Sequence, residues 1–205
     1  LVEAFVHGFV LAFGLILPLG PQNVFIFNQG ALQPSLIKAW PAVVTASLCD
    51  TILITLAVLG VSVVVLALTW LKTAIFAIGF IFLIYMGWSI WQSRPSVGQA
   101  AETLSPWKQI SFAASVSLLN PHAILDTIGV IGTGSLAYDW GEKMMYTVAC
   151  VAVSWLWFAG LAIAGRALGR IDRDGRWLNV VNKISALIIW GVAVYFLRQI
   201  IAILI

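Results

Sequence analysis

Apolar residues run from Ala4 to Phe27 with one interruption, PLGPQN at 18–23, which places prolines, a glycine, a glutamine and an asparagine inside the run. About 20 mainly apolar residues cross a bilayer as a helix. Six stretches of that kind can be read along the chain: 4–28, 39–68, 70–92, 108–135, 144–167 and 183–205. Between them lie Gln29 to Lys38, a tight turn near Thr69 to Lys72, Ser93 to Trp107, Ala137 to Lys143, and Arg166 to Lys183. The pattern predicts an all-α, polytopic membrane protein with six transmembrane helices.

The connection SRPSVGQAAETLSP, 93–106, has the Pro, Ser and small-polar composition of a linker. It divides one integral membrane domain into a three-helix repeat over 1–92 and a second over 108–205, with the linker at 93–107. The halves resemble each other: LPLGPQN at 17–23 answers SLLNPHA at 117–123, and YMGWSI at 85–90 answers YFLRQI at 195–200. Three spans per half bring the second copy into the membrane from the opposite side. The expected architecture is therefore two inverted repeats, with helices 1 and 4 broken at Pro21 and Pro121.

Composition agrees: of 205 residues, 61% are hydrophobic and 9% charged, with a mean hydropathy of +1.02. Soluble domains carry about 25% charged residues. Apolar spans recur to the last residue, so the first reads as a retained span and not as a secretory signal. A net charge of +3 and a pI near 9.1 do not signify nucleic acid, because the basic residues lie between spans. Lys38, Arg94, Lys108, Arg166, Arg170, Arg173, Arg176 and Lys183 fall on one side, against Lys72 and Lys143 on the other, with Arg198 near the end of span 6 assigned to neither. The positive-inside rule then predicts both termini outside.

Pro21 and Pro121 each remove a backbone donor and clash with the preceding turn. In hydrocarbon, irregular backbone persists only where it is packed in protein or lines a wet cavity. Two breaks at matching places, flanked by Gln22, Asn23, Asn120 and His122, imply a shared cavity near the midplane. Asp50 and Asp126 are isolated acids within spans 2 and 4. Each costs about 2.5–3.5 kcal/mol to insert at the bilayer centre, and no Lys or Arg lies well inside a span. A proton, a water-filled cavity or a cationic substrate must compensate them, or else each is a protonated, hydrogen-bonded structural acid.

Seven tryptophans fall at or near span ends, where indoles anchor the interface. Trp155, Trp157 and Trp190 lie within spans; each can face lipid or core, or offer its ring to a guanidinium or ammonium. Cys49 and Cys150 sit in apolar runs without zinc-type spacing, so neither a disulfide framework nor a metal or other cofactor is expected. GVIGTG at 129–134 lacks the strand context of a dinucleotide loop. GRALG at 165–169 fits a small-residue packing pattern, but it falls at a span end and such patterns are common.

GPQNVFIFNQG in span 1, the isolated Asp50 in span 2 and NPHAILDT in span 4 together resemble the basic amino-acid exporters of the lysine exporter (LysE) superfamily, the lysine and arginine exporters in particular. The likeness runs from about Phe5 to the C-terminus. It implies that Pro21, Gln22, Asn23, Asp50, Asn120, Pro121 and Asp126 belong to the transport site. It also implies a secondary transporter and not an enzyme, a multi-pass location in the bacterial inner membrane, and homodimerisation.

A basic amino acid has a carboxylate, an α-ammonium and a cationic side chain. A half-helix beginning after one break is expected to aim its N-terminal amides at the carboxylate. Asp50 and Asp126 hold a cationic end, and Gln22, Asn23 and Asn120 satisfy the rest. Export of arginine or lysine against an inside-negative potential needs an incoming cation, most simply a proton. Asp50, Asp126 and His122 are the coupling candidates. Two other readings stay open: a thiol/disulfide electron relay through Cys49 and Cys150, and a divalent-cation exporter using the two aspartates.

Overall fold

The computed structural model describes residues 1–18, 20–61, 69–92, 103–118, 120–172 and 175–204. Among them the secondary structure is helical throughout. In chain order it consists of α1 (Val2–Ile16), α2 (Pro21–Leu32), α3 (Leu36–Leu56), α4 (Thr69–Gln92), α5 (Pro106–Leu118), α6 (Pro121–Asp126), α7 (Trp140–Ile171) and α8 (Arg176–Leu204). A wide turn, Ala57–Val61, follows α3; a π-type stretch, Thr127–Gly132, follows α6.

Three stretches among the described residues, Leu36–Gly60, Trp140–Ile171 and Arg176–Ala202, are long and apolar enough to cross a membrane alone. Two further pairs qualify only as bent units: α1 with α2, bent by 80°, and α5 with the helix running from Ala123 to Ala137, bent by 56°. Counting each pair as one span gives up to five, with a further apolar helix over Phe76–Gln92 in α4.

Both bends fall where the prolines predict them. Pro21 is the first helical residue of α2, after Gly20 as N-cap. There its missing N–H costs nothing and its fixed φ suits the helix start. The proline therefore begins a new helix instead of kinking an old one.

Other boundaries differ from the sequence reading. The expected span 39–68 stays regular only to Leu56, because Gly60 takes a φ of 100°, which a right-handed helix cannot continue through. The expected turn at Thr69 to Lys72 is instead the start of α4, where TWLK holds no glycine or proline to interrupt a helix. The linker survives only in part: α5 begins at Pro106, and 93–102 lie outside the described residues. Most of the expected loop from Arg166 to Lys183 is helix, since α7 continues to Ile171 and α8 starts at Arg176. The turn between them closes through Asp172, which accepts the Leu178 N–H at 2.9 Å, and Gly175, whose φ of 67° needs no Cβ.

Helix α7 is the mast of the fold, with α1, α2 and α3 packed along it, while α5 lies on α3 and α4 pairs with α8. Lipid-soluble helices gain nothing from burying apolar surface against one another, so close backbone contact must hold them. Gly30 of α2 and Gly165 and Gly169 of α7 provide it. A Cβ on Gly30 would strike the Ala162 carbonyl, one on Gly165 the Phe27 carbonyl, and one on Gly169 would lie 2.5 Å from the Ala31 oxygen. The GRALG pattern, discounted in the sequence, is thus the seam on which α2 is seated.

Arg166 fixes the far end of that seam. Its guanidinium donates to the carbonyls of Gln33 and Pro34, both at 2.7 Å, closing the C-terminal end of α2. Beside it the buried Gln33 and Gln109 side chains both donate to Leu104 O at 3.0 Å, and Gln109 also reaches Lys38 O at 2.9 Å.

Gly165→Val is expected to push α2 off α7 and to destabilise the protein by about 1–3 kcal/mol. Thermal unfolding in detergent checks this, with Gly141→Ala, where no atom lies within 4 Å of the added Cβ, as the unchanged control.

Candidate functional site

The break between α1 and α2 exposes backbone carbonyls that no longer have helical partners. Asn23 meets them: its amide nitrogen donates to Ile16 O at 2.7 Å and to Pro18 O at 2.8 Å. Its own oxygen accepts the Trp157 indole N–H at 3.3 Å, which orients the amide for that task. Trp157 in turn meets Phe13 of α1 edge-on, with centroids 5.7 Å apart. One asparagine and one tryptophan thus hold an 80° bend in place.

A cavity of about 130 Å³ opens at this bend. Pro18, Gly20, Pro21, Gln22 and Asn23 form one wall, Asp50 of α3 and Ser154 of α7 another. Asn120, Ala123, Asp126 and Thr127 enter from the second break, and Ile188, Ile189 and Val192 of α8 close the apolar side. The two breaks, distant in sequence, therefore face one space.

Asp50 is held at both oxygens by neutral donors. Gln22 Nε2 lies 3.2 Å from Oδ1, and Ser154 Oγ donates to Oδ2 at 3.1 Å. Among the described residues no Lys or Arg side chain forms an ion pair with Asp50. Two hydrogen bonds fix the carboxylate's direction and leave its further lone pairs available to a cation.

The N-terminus of α2 also opens on the cavity. Gly20 has no side chain to cap it, and no side-chain cap bond is made there. The amides of the first turn and the positive end of the helix dipole thus stand beside Asp50's negative charge. The cavity has one wall that favours an anion and another that favours a cation.

Of the residues singled out in the sequence, Pro21, Gln22, Asn23, Asp50, Asn120 and Asp126 line the cavity. Pro121 begins α6, and His122 follows it, but the side chains of both lie outside the described residues. Trp157 touches the site through Asn23. Trp155 instead donates to Thr51 Oγ1 at 3.1 Å, and Trp190 lies between α8 and α4 with its N–H 3.4 Å from Ile84 O. None of the three lines the cavity. Among the described residues, Lys183 does sit on a ring, 4.0 Å from the centroid of Trp91, and its ammonium also donates to the Trp91 carbonyl.

Sequence reasoning missed Ser154, a small polar residue in an apolar run whose role depends on α7 passing beside α3. His7, whose position near a terminus carries no signal in the sequence, lies away from the cavity, its Nδ1 2.8 Å from the Tyr138 hydroxyl. Cys49 and Cys150 are buried free thiols outside the cavity wall, and Cys150 donates to Gly8 O at 3.4 Å. Among the described residues no group of three or more His, Cys, Asp or Glu could hold a metal ion.

Residues 13–200 match the family described as LysE type translocator. The chain is 59% identical over 196 residues to YisU of Bacillus subtilis, named as a candidate amino-acid transporter, covering 95% of this chain and 89% of that protein. It is 31% identical over 201 residues to the arginine exporter protein ArgO of Shigella flexneri, covering 94% of this chain and 92% of that one. The arginine exporter protein ArgO of Salmonella paratyphi A is 30% identical over 209 residues, covering 97% and 95%. No solved structure matches the chain.

Because Asn23 serves the backbone by donating, Asn23→Asp is expected to be as damaging as Asn23→Ala. Each leaves two carbonyls unpartnered at about 1–3 kcal/mol apiece. Equal losses of thermal stability in detergent would agree; full retention by Asn23→Asp would contradict the role.

Proposed function

The chain belongs to the LysE type translocator family, and on that premise we propose that it exports cationic amino acids, L-arginine and L-lysine, across the bacterial inner membrane in exchange for protons. The observation that carries this reading is Asp50: a carboxylate on a cavity wall, held only by neutral donors among the described residues, beside an uncapped helix N-terminus. The names of the relatives, an amino-acid transporter and arginine exporters, support it.

A zwitterion with an added positive charge fits such a wall pair. The substrate carboxylate takes the first-turn amides of α2, as anions do at helix N-termini. The guanidinium or ammonium takes Asp50, with Asp126 and Asn120 across the cavity as further oxygen acceptors. Gln22 acts through Asp50, fixing the carboxylate. Asn23 is a positioning residue, holding the bend that sets α2's amides at the cavity.

The direction of transport follows from energetics. Moving a positive charge out of an inside-negative cell costs about 2.3 kcal/mol per 100 mV, so unaided flow runs inward. A carboxylate that holds either a proton or the cationic substrate, and never both, turns the proton gradient into export. Asp50 and Asp126, which both line the cavity, are the acids this reading assigns to the task.

The same reading takes the fold as six spans in two inverted halves. Its support is that both broken units restart at a proline, that α3 packs on α7 and α4 on α8, and that α4 has 24 residues. The basic side, with Lys38, Arg166 and Lys183, then faces the cytoplasm and the termini face outward.

In reconstituted vesicles, Asp50→Asn and Asp126→Asn are each expected to lower exchange of labelled arginine at least about tenfold, the loss of one charge-assisted contact. The pH dependence of the residual exchange should flatten for whichever acid carries the proton. Wild-type rate and pH dependence in both variants would refute the proposed roles. Competition by unlabelled lysine, and none by divalent cations, separates this reading from a metal exporter.

A further inference from the structure

Beyond the cavity, α2 and α8 remain in contact along a seam. On α2, Asn28 lies seven residues beyond Pro21, and on α8, Asn182 lies seven before Ile189. Seven residues are two turns, so each asparagine shares a helix face with a cavity-lining residue, about 10 Å away along the axis. The two meet: Asn28 Nδ2 donates to Asn182 Oδ1 at 2.9 Å.

The rest of this polar group has no partner. Asn28 Oδ1, Asn182 Nδ2 and the Ser185 hydroxyl are all buried and make no hydrogen bond among the described residues. Ser185 lies one turn from Asn182 on α8, on the side toward the cavity. Buried polar atoms in native proteins almost always find partners, so three orphans on two facing helices point to a polar visitor. Lys183, next in sequence, is engaged with the ring and carbonyl of Trp91 on α4.

Val24 of α2 and Ala186 of α8 pack in one buried cluster with Ile189, which lines the cavity, and with Phe76, Leu83 and Met86 of α4 and Val116 of α5. Along α2 and α8 themselves, the members of that cluster between the polar group and the cavity-lining positions are the aliphatic Val24 and Ala186. A small parting of α2 from α8 would join the polar group to the cavity.

We propose that the α2–α8 seam is the route between the cavity and the side of the membrane where α2 ends, and that Asn28, Asn182 and Ser185 form a way station for the α-amino-acid head group of the substrate. The chemistry is complementary. Asn28 Oδ1 accepts from the ammonium, while Asn182 Nδ2 and the Ser185 hydroxyl donate to the carboxylate. The station has no charge, so it reads the zwitterionic head and ignores the side chain, which is the task of Asp50. This inference rests on the chain being an amino-acid exporter.

Single cysteines at Asn182, Ser185, Ala123 and Ile184 test it, placed in a background with Cys49 and Cys150 replaced by alanine. Ala123 lines the cavity, and Ile184 is an exposed apolar position on α8. Asn182→Cys and Ser185→Cys should react with a membrane-impermeant thiol reagent from the side bearing the α2–α3 connection. Arginine should protect them, and Ile184→Cys should stay unlabelled. Protection of Ala123→Cys without labelling of 182 and 185 would overturn the route and leave the export reading intact. Absence of arginine protection at Ala123→Cys as well would overturn both.

A second measurement does not depend on cysteine chemistry. Ser185→Ala and Asn182→Ala should lower the maximal exchange rates of arginine and lysine by the same factor, about fivefold to tenfold, the worth of a lost hydrogen bond. Equilibrium binding at the cavity should change by less than about twofold, well under the effect of one hydrogen bond. Unchanged exchange in both variants, or loss of exchange confined to one substrate, would contradict a head-group station.

Discussion

In hydrocarbon an unpaired carbonyl has no water to turn to, and this constraint governs everything around Pro21. The chain can end α1 at Ile16 and restart at Pro21 only because the Asn23 amide takes up the carbonyls of Ile16 and Pro18. Trp157, reaching from α7, keeps that amide the right way round. Once the bend is secured, the uncapped start of α2 stands inside the protein, beside Asp50. The site is a consequence of how the break is repaired.

Close packing by small residues then fixes where the break sits. Gly30, Gly165 and Gly169 let α2 lie backbone to backbone on α7, and Arg166 ties its end to the same helix. With α2 anchored along its length on α7, its other faces remain for function. One holds Gln22 toward Asp50; another carries Asn28 toward α8. A transporter needs one immobile contact and one that can part; the glycine seam on α7 suits the first, and the proposed route along α8 would be the second.

The all-helical class and the two breaks were legible in the sequence. Matched prolines gave both breaks, and isolated acids gave two cavity walls, because such residues in an apolar run have few tolerable explanations. The roles within the motif were not legible. GPQN shows an asparagine near a break, yet only the fold shows that its amide serves main-chain carbonyls while its neighbour Gln22 serves Asp50. Ser154 and Asn28 were invisible for the same reason, since their meaning lies in which helix passes beside them. Helix ends were misplaced where charge was taken for loop: Arg166 and Arg170 lie within α7, which continues to Ile171, as long basic side chains at the end of an apolar helix allow.

The central claim is that Asp50 recognises the positive charge of the substrate side chain. Equilibrium binding of arginine and of citrulline, its neutral isostere, to the purified protein and to Asp50→Asn addresses it directly. The account predicts that the wild type prefers arginine by about tenfold or more, the value of one charge-assisted hydrogen bond, and that Asp50→Asn binds the two alike. An Asp50→Asn protein that keeps the full preference for arginine would contradict it.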